Sequence, residues 1–169
     1  MDPFSKAILK ELLPVEKEIG PAKRIAKKEQ SDALDHLSHP VLLERAAYLR
    51  KLGAAGDGSA SEILKEYPQH AVHLLYRGRS GGAELHENFA DLFIVLEGRA
   101  ALVTEGTISD PQTIAPGEIR GASVQDGKRQ ELRAGDIAHV PAGLPHQMVV
   151  SGDSSIVCLV LKILQNLQT

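Results

Sequence analysis

A chain of 169 residues, 43% of them hydrophobic, has the size of one ordinary domain, or of a small domain with an appendage, and can bury one packed core. A net charge of −3 gives no electrostatic reason to expect nucleic acid as a partner, and a single cysteine excludes an internal disulfide. No stretch approaches the ~20 consecutive apolar residues that span a bilayer, so no membrane partner is expected.

The first 70 residues read as helical. Ile8, Leu12, Leu13 and Val15 lie on one side of a segment that Pro14 breaks or kinks. The run Lys23-Arg24-Ile25-Ala26-Lys27-Lys28 is local and is followed by acidic residues, as on a solvated helix face. Lys and Glu alternate among the apolar residues of the N-terminus, which therefore lacks the uninterrupted apolar core of a secretory leader, and a cytoplasmic location is expected. Pro40, with Ser38 upstream as a candidate cap, opens a helix over Val41 to Leu52. Its apolar face is Leu42, Leu43, Ala46, Ala47, Leu49 and Leu52, and Gly53 offers a stop. That face is expected to pack on the outside of the following domain or across a homodimer interface. A link over 54–58 leads to a short helix, Glu62 to Glu66, ended by Tyr67-Pro68.

From Ala71 the pattern changes to short apolar runs punctuated by Gly, Pro and Asp-Gly. Strands are expected over Val72 to Tyr76, Ile137 to Val140, Gln147 to Val150 and Ile156 to Ile163. Leu92 to Leu96 and Ala100 to Thr104 flank Glu97-Gly98 as a hairpin, and Gln125-Asp126-Gly127-Lys128 reads as a second hairpin turn. Between them, Pro116 to Gly121 reads as an extended Gly-rich loop. Many short strands with regular turns favour a sandwich or barrel over a parallel sheet. The expected organisation is a helical extension over 1–70, a β-barrel over 71–163 and a tail over 164–169.

Two stretches carry the chemistry. In Gly78 to Gly98, Glu84 and His86 are two residues apart and share one face of a strand. Asp91 lies five residues beyond His86, so a turn or bulge within 87–90 has to bring it to the same side. In Gly135 to Val150, the rigid turn Pro141-Ala142-Gly143-Leu144-Pro145 delivers His146. Two carboxylates and two imidazoles are, in outline, the ligands of a divalent metal.

The pattern G-x5-E-x-H-x4-D-x6-G followed by G-x5-P-x-G-x2-H resembles the two-part signature of the cupin superfamily, over roughly residues 71 to 163. In that family the first motif usually reads G-x5-H-x-H-x3,4-E-x6-G and the second ends in H-x3-N. Here Glu84 stands in place of the first His, Asp91 in place of the Glu and Val150 in place of the Asn. The resemblance implies a mainly β fold, a cupin-like jelly-roll β-barrel preceded by an α-helical segment. It also brings the two motifs together, so that Glu84, His86, Asp91 and His146 surround one divalent ion. The hard oxygen ligands favour iron or manganese, while the imidazoles keep zinc and nickel in contention.

The function implied is a metal-dependent enzyme acting on a small organic molecule in the barrel, of dioxygenase, lyase or isomerase type, with dioxygenase preferred. The alternative is a non-catalytic module that binds a small ligand, its helices mediating assembly. His139 is a candidate catalytic residue, as a proton shuttle or a donor behind the ligands. Arg77 and His73 lie on the strand leading into the first motif, and Arg77 suits a substrate carboxylate. Phe89, Phe93 and Met148 are expected in the core or pocket wall, and Cys158, inside an apolar run, as a buried small hydrophobe.

Overall fold

Local sequence signals set most of the elements, but long-range pairing decides several of them. A computed structural model describes residues 35–165. The segment around Ile8 to Val15, the basic run 23–28 and residues 166–169 lie outside the described residues.

Helix α1 (His39–Ala55) begins with Pro40 in its first turn, where a missing N–H costs nothing; Ser38 is extended at the cap position but makes no side-chain capping bond. Its buried stripe is Leu42, Ala46, Leu49 and Gly53, narrower than expected, since Leu43 is half-buried and Ala47 exposed. Gly53 does not stop the helix. It lies close against the sheet, and a Cβ there would come within 2.7 Å of the Tyr76 ring. Ala46 and Leu49 pack on Leu74 and Val157, with Leu52, Ala60, Leu64 and Tyr76 around them.

Residues 62–66, expected as a helix, belong instead to strand β1 (Ser59–Glu66), which pairs antiparallel with β2 (His70–Arg77). A five-residue helix has too few internal hydrogen bonds to hold by itself, whereas the neighbouring strand satisfies the whole segment. The sheet thus starts at Ser59 rather than at Ala71.

The remaining strands are β3 (Ala83–His86), β4 (Phe89–Thr104), β5 (Thr107–Ile108), β6 (Gln112–Ala115), β7 (Glu118–Gly121), β8 (Val124–Gln125), β9 (Lys128–Arg133), β10 (Ile137–Val140), β11 (His146–Val149) and β12 (Ile156–Leu164). The hairpin expected at Glu97-Gly98 does not form. Leu92 to Leu96 and Ala100 to Thr104 are two halves of the single strand β4, which bends and crosses from one layer to the other. Its first half pairs with β12 and β10, and its second half with β9 and β11. Gly98 makes the crossing possible: its φ is +75°, and a Cβ would lie 1.9 Å from the Ser155 carbonyl oxygen. That carbonyl is held there by the Arg99 N–H, at 2.9 Å.

One layer therefore runs β1-β2-β12-β4 with β10, the other β4-β11-β3-β7-β6 with β9, all antiparallel. Phe93, Val95, Leu102, Leu132, Val140, Met148, Ile156, Cys158 and Val160 fill the space between them, a jelly-roll core. Cys158 is wholly buried, and that burial pushes its thiol up to about 12 against the opposing pull of Arg77. Asp126 takes a left-handed φ of 55°, as an Asp-Gly turn requires. It closes no hairpin, however, because β8 pairs with β5 while β9 pairs with β4. Residues 118–121, expected in a loop, are strand β7. Among the described residues no helix is long and apolar enough to cross a membrane.

The crossing at Gly98 gives a direct check on this architecture. Gly98→Ala is expected to cost more than about 2 kcal/mol, through the positive φ and the Ser155 clash together. Urea unfolding of the two proteins measures it, and an unchanged midpoint would contradict the bend described here.

Candidate metal centre

Strand alternation aims the side chains. On β3, Glu84 and His86 point the same way. The break at Glu87-Asn88 then lets Asp91 enter β4 on the inward face it shares with Phe93 and Val95. Here the expected interruption within 87–90 is present. The Pro141 to Pro145 turn is pinned by the Gly143 N–H, which donates to the His86 carbonyl at 2.7 Å. His146 follows at the start of β11, in register with Glu84 on one side and Thr104 on the other.

All four expected ligands meet. Their donor atoms lie within 4.8 Å of one another, with His86, Asp91 and His146 buried and Glu84 partly exposed. His86 Nε2 is 3.5 Å from Glu84 Oε2 and 3.5 Å from Asp91 Oδ2. His146 Nε2 is 3.4 Å from Asp91 Oδ2 and 4.0 Å from Glu84 Oε2. Ligands about 2.0–2.2 Å from a common ion stand roughly 3.0–3.5 Å from their nearest neighbours, so the spacing fits a divalent ion. His146 Nδ1 lies 3.1 Å from the Leu144 carbonyl, which can only accept; Nδ1 therefore carries the proton and Nε2 offers a lone pair inward. That Nε2 has no hydrogen-bond partner of good geometry among the described residues.

Three further residues, which the sequence reading did not single out, complete the arrangement. In register with β3, strand β7 sets Glu118 opposite His86 and Arg120 opposite Glu84. Glu118 Oε2 is 2.6 Å from His86 Nδ1, and Arg120 Nη1 is 2.9 Å from Glu84 Oε2. On β12, Lys162 pairs in register with Asp91. Its ammonium donates to Asp91 Oδ1 and to His86 Nε2, both at 3.0 Å. An ammonium cannot accept, so His86 Nε2 is the acceptor and Nδ1–H donates to Glu118, a carboxylate behind the imidazole. Signals for these residues existed. Glu118 and Arg120 alternate within the supposed loop, and Lys162 continues the inward stripe of Ile156, Cys158 and Val160.

Burial alone would raise the carboxyls of both Glu84 and Asp91, but their partners outweigh it. The Arg120 guanidinium holds Glu84 well below the usual carboxylate range, and Lys162 does the same for Asp91. Arg77 Nη2, 3.7 Å from Glu84 Oε1, stands slightly farther off.

The group opens on a small cavity of about 70 Å³. Leu75, Phe93, Met148 and Val160 form its apolar wall, and Ser61, His73 and Arg77 its polar one beside Glu84, Asp91, His146 and Lys162. Phe93 and Met148 thus wall the pocket, while Phe89 packs with Ala71. His139 is not in this wall: it is exposed on β10, which turns Val140 to the core instead. The period of the strand places it on the outside, away from Glu84, His86, Asp91 and His146.

Comparison with known proteins bears on the fold. Residues 117–162 match a family model described as a cupin domain. TT1209 from Thermus thermophilus is similar in structure, with a TM-score of 0.50 and 17% identity over 73% of this chain and 95% of that one. The polyketide cyclase RemF from Streptomyces resistomycificus (TM-score 0.47, 18% identity, 64% of this chain and 66% of that one) is also similar. So is the DMSP lyase DddQ from Ruegeria pomeroyi (TM-score 0.47, 21% identity, 67% of this chain and 50% of that one). The chain thus spans under two thirds of the length of these two enzymes. No curated protein matches the sequence. The chain thus has a cupin-like jelly-roll fold, with the cupin-domain match lying over residues 117–162.

The depressed Asp91 and Glu84 carboxyls stabilise the metal-free fold above their unfolded values, about 4, and that stability is lost as pH falls toward the folded values. Wild type stripped with chelator is therefore expected to weaken steadily between pH 5 and 3. Asp91→Asn should cost about 3 kcal/mol at pH 7, by stranding Lys162, and less at pH 3. Urea titrations at the two pH values check this, and a constant difference would contradict it.

Proposed function

We propose that this cupin-like protein is a metal-dependent enzyme acting on a small organic molecule held in the cavity beside Glu84, His86, Asp91 and His146. The observation that carries this reading is the convergence of those four donor atoms within 4.8 Å inside the barrel. Iron or manganese suits the two carboxylates best, with zinc or nickel next. When bound, such an ion supplies Lewis acidity or oxygen activation. Glu118 holds the His86 ring in the ligating tautomer and Leu144 does the same for His146. The apolar wall excludes water from the reacting region, and Arg77 is positioned to pair with a substrate carboxylate. Among dioxygenase, lyase and isomerase, dioxygenase is preferred, because the set less one carboxylate is the two-imidazole, one-carboxylate arrangement of non-haem iron. We place the protein in the cytoplasm, as a homodimer.

A second reading, a non-catalytic module binding a small ligand, draws on one observation. Arg77, Arg120 and Lys162 already match the charges of Glu84, Asp91 and Glu118 without any metal.

Metal analysis separates the two. Protein purified without chelators is expected to carry nearly one equivalent of iron, manganese, zinc or nickel, and His86→Ala with His146→Ala should abolish it. A well-folded wild type that takes up none after reconstitution would remove the enzyme reading. For the dimer, sedimentation velocity is expected to give twice the mass of the chain, and a monomer at micromolar concentration would refute it.

A further inference from the structure

Lys162 is the least expected member of this site. It sits at the inward end of an apolar strand, its side chain only 4% exposed. Its Nζ lies 3.0 Å from His86 Nε2 and 3.0 Å from Asp91 Oδ1, and so engages two of the four candidate ligands. His86 has one lone pair to give, since its Nδ1–H is committed to Glu118. That lone pair serves either the ammonium or a metal ion, never both. Asp91 is divided: Oδ1 meets Lys162, while Oδ2 faces the two imidazoles. With Arg77 and Arg120 beside Glu84, the carboxylates are balanced by side chains alone, so a divalent ion adds its charge next to a fixed ammonium.

We propose that Lys162 is a tethered counter-ion that competes with the metal for His86 and Asp91. Loading the site requires the ammonium to leave the His86 lone pair, and Lys162 thereby sets how tightly any divalent ion is held. The inference rests on the reading of Glu84, His86, Asp91 and His146 as metal ligands. Opposite Asp91 in the strand register, the same lysine keeps that carboxylate paired whenever the ion is gone.

The test is calorimetric titration of the chelator-stripped full chain with manganese and, separately, zinc, comparing wild type with Lys162→Met, which keeps the stem and removes the charge. Lys162→Arg, which keeps the charge, serves as control, and Lys162→Gln as the second neutral variant. The expected result is at least tenfold tighter binding in both neutral variants, no gain in Lys162→Arg, and a larger rise in melting temperature on adding metal. A neutral variant that folds only with the ion supplied also supports the proposal, since the ion then replaces the ammonium. If wild type binds no metal but Lys162→Met does, the competition stands and the metal-dependent enzyme falls. If wild type binds and the folded neutral variants bind equally or more weakly, the competition is overturned while the metal reading stands. Folded neutral variants and wild type that all fail to bind overturn both, and neutral variants that fold neither with nor without metal count against the competition.

Discussion

Glu84, Asp91 and Glu118 bring three carboxyl groups to two imidazoles inside a β fold, and a charge so placed is tolerable only beside an opposite one or strong donors. Much of the local structure can be read as the answer to that requirement. Arg120 stands over Glu84, Lys162 over Asp91, and the His86 ring over Glu118. Each partner comes from a neighbouring strand in register, so the charges and the backbone ladders specify the same alignment. A one-residue slip of β7 or β12 would turn Glu118, Arg120 or Lys162 to the outside and leave a carboxylate unpaired.

The scaffold that holds this cluster depends on two glycines with positive φ. Gly98 lets one strand serve both layers, so that Asp91 lies in the first layer while Ala100 to Thr104 extend the second beside β11. Gly143 lets the turn before His146 reach back to the His86 carbonyl, tying the second motif to the first. Because both ties are backbone contacts, the donor spacing is set by the fold and not by side-chain flexibility. The helix lies on the outer face, packed over Leu74 and Val157.

Much of this was legible beforehand. The alternation in Ala83 to His86, the break before Asp91 and the Pro-Gly turn before His146 marked out the four candidate residues, because strand period and turn chemistry are local properties, while the family resemblance implied that they meet. Helix α1 was legible for the same reason, from Pro40 and the spacing of Leu42, Ala46 and Leu49. The errors arose where a segment's fate belongs to its neighbour. Residues 62–66 lack the length to commit to a helix, and β2 draws them into a sheet. Glu97-Gly98 looks like a hairpin, yet the strands on either side find partners in different layers. The segment Glu118 to Gly121 looks like a loop until β3 pairs with it.

What the sequence determined by itself was the mainly β fold and the two motifs that carry Glu84, His86, Asp91 and His146, since both rest on spacings within a few residues. Only the tertiary structure decided which charges face those ligands. Lys162 and Glu118 lie 76 and 32 residues from His86 along the chain, and Asp91 is 71 residues from Lys162. Pairings over such distances follow from strand order and register, which the short-range pattern of a sequence does not contain. His139 makes the same point from the other side. A histidine just before Val140-Pro141 looks placed to line the pocket, and one step of the pleat turns it to solvent.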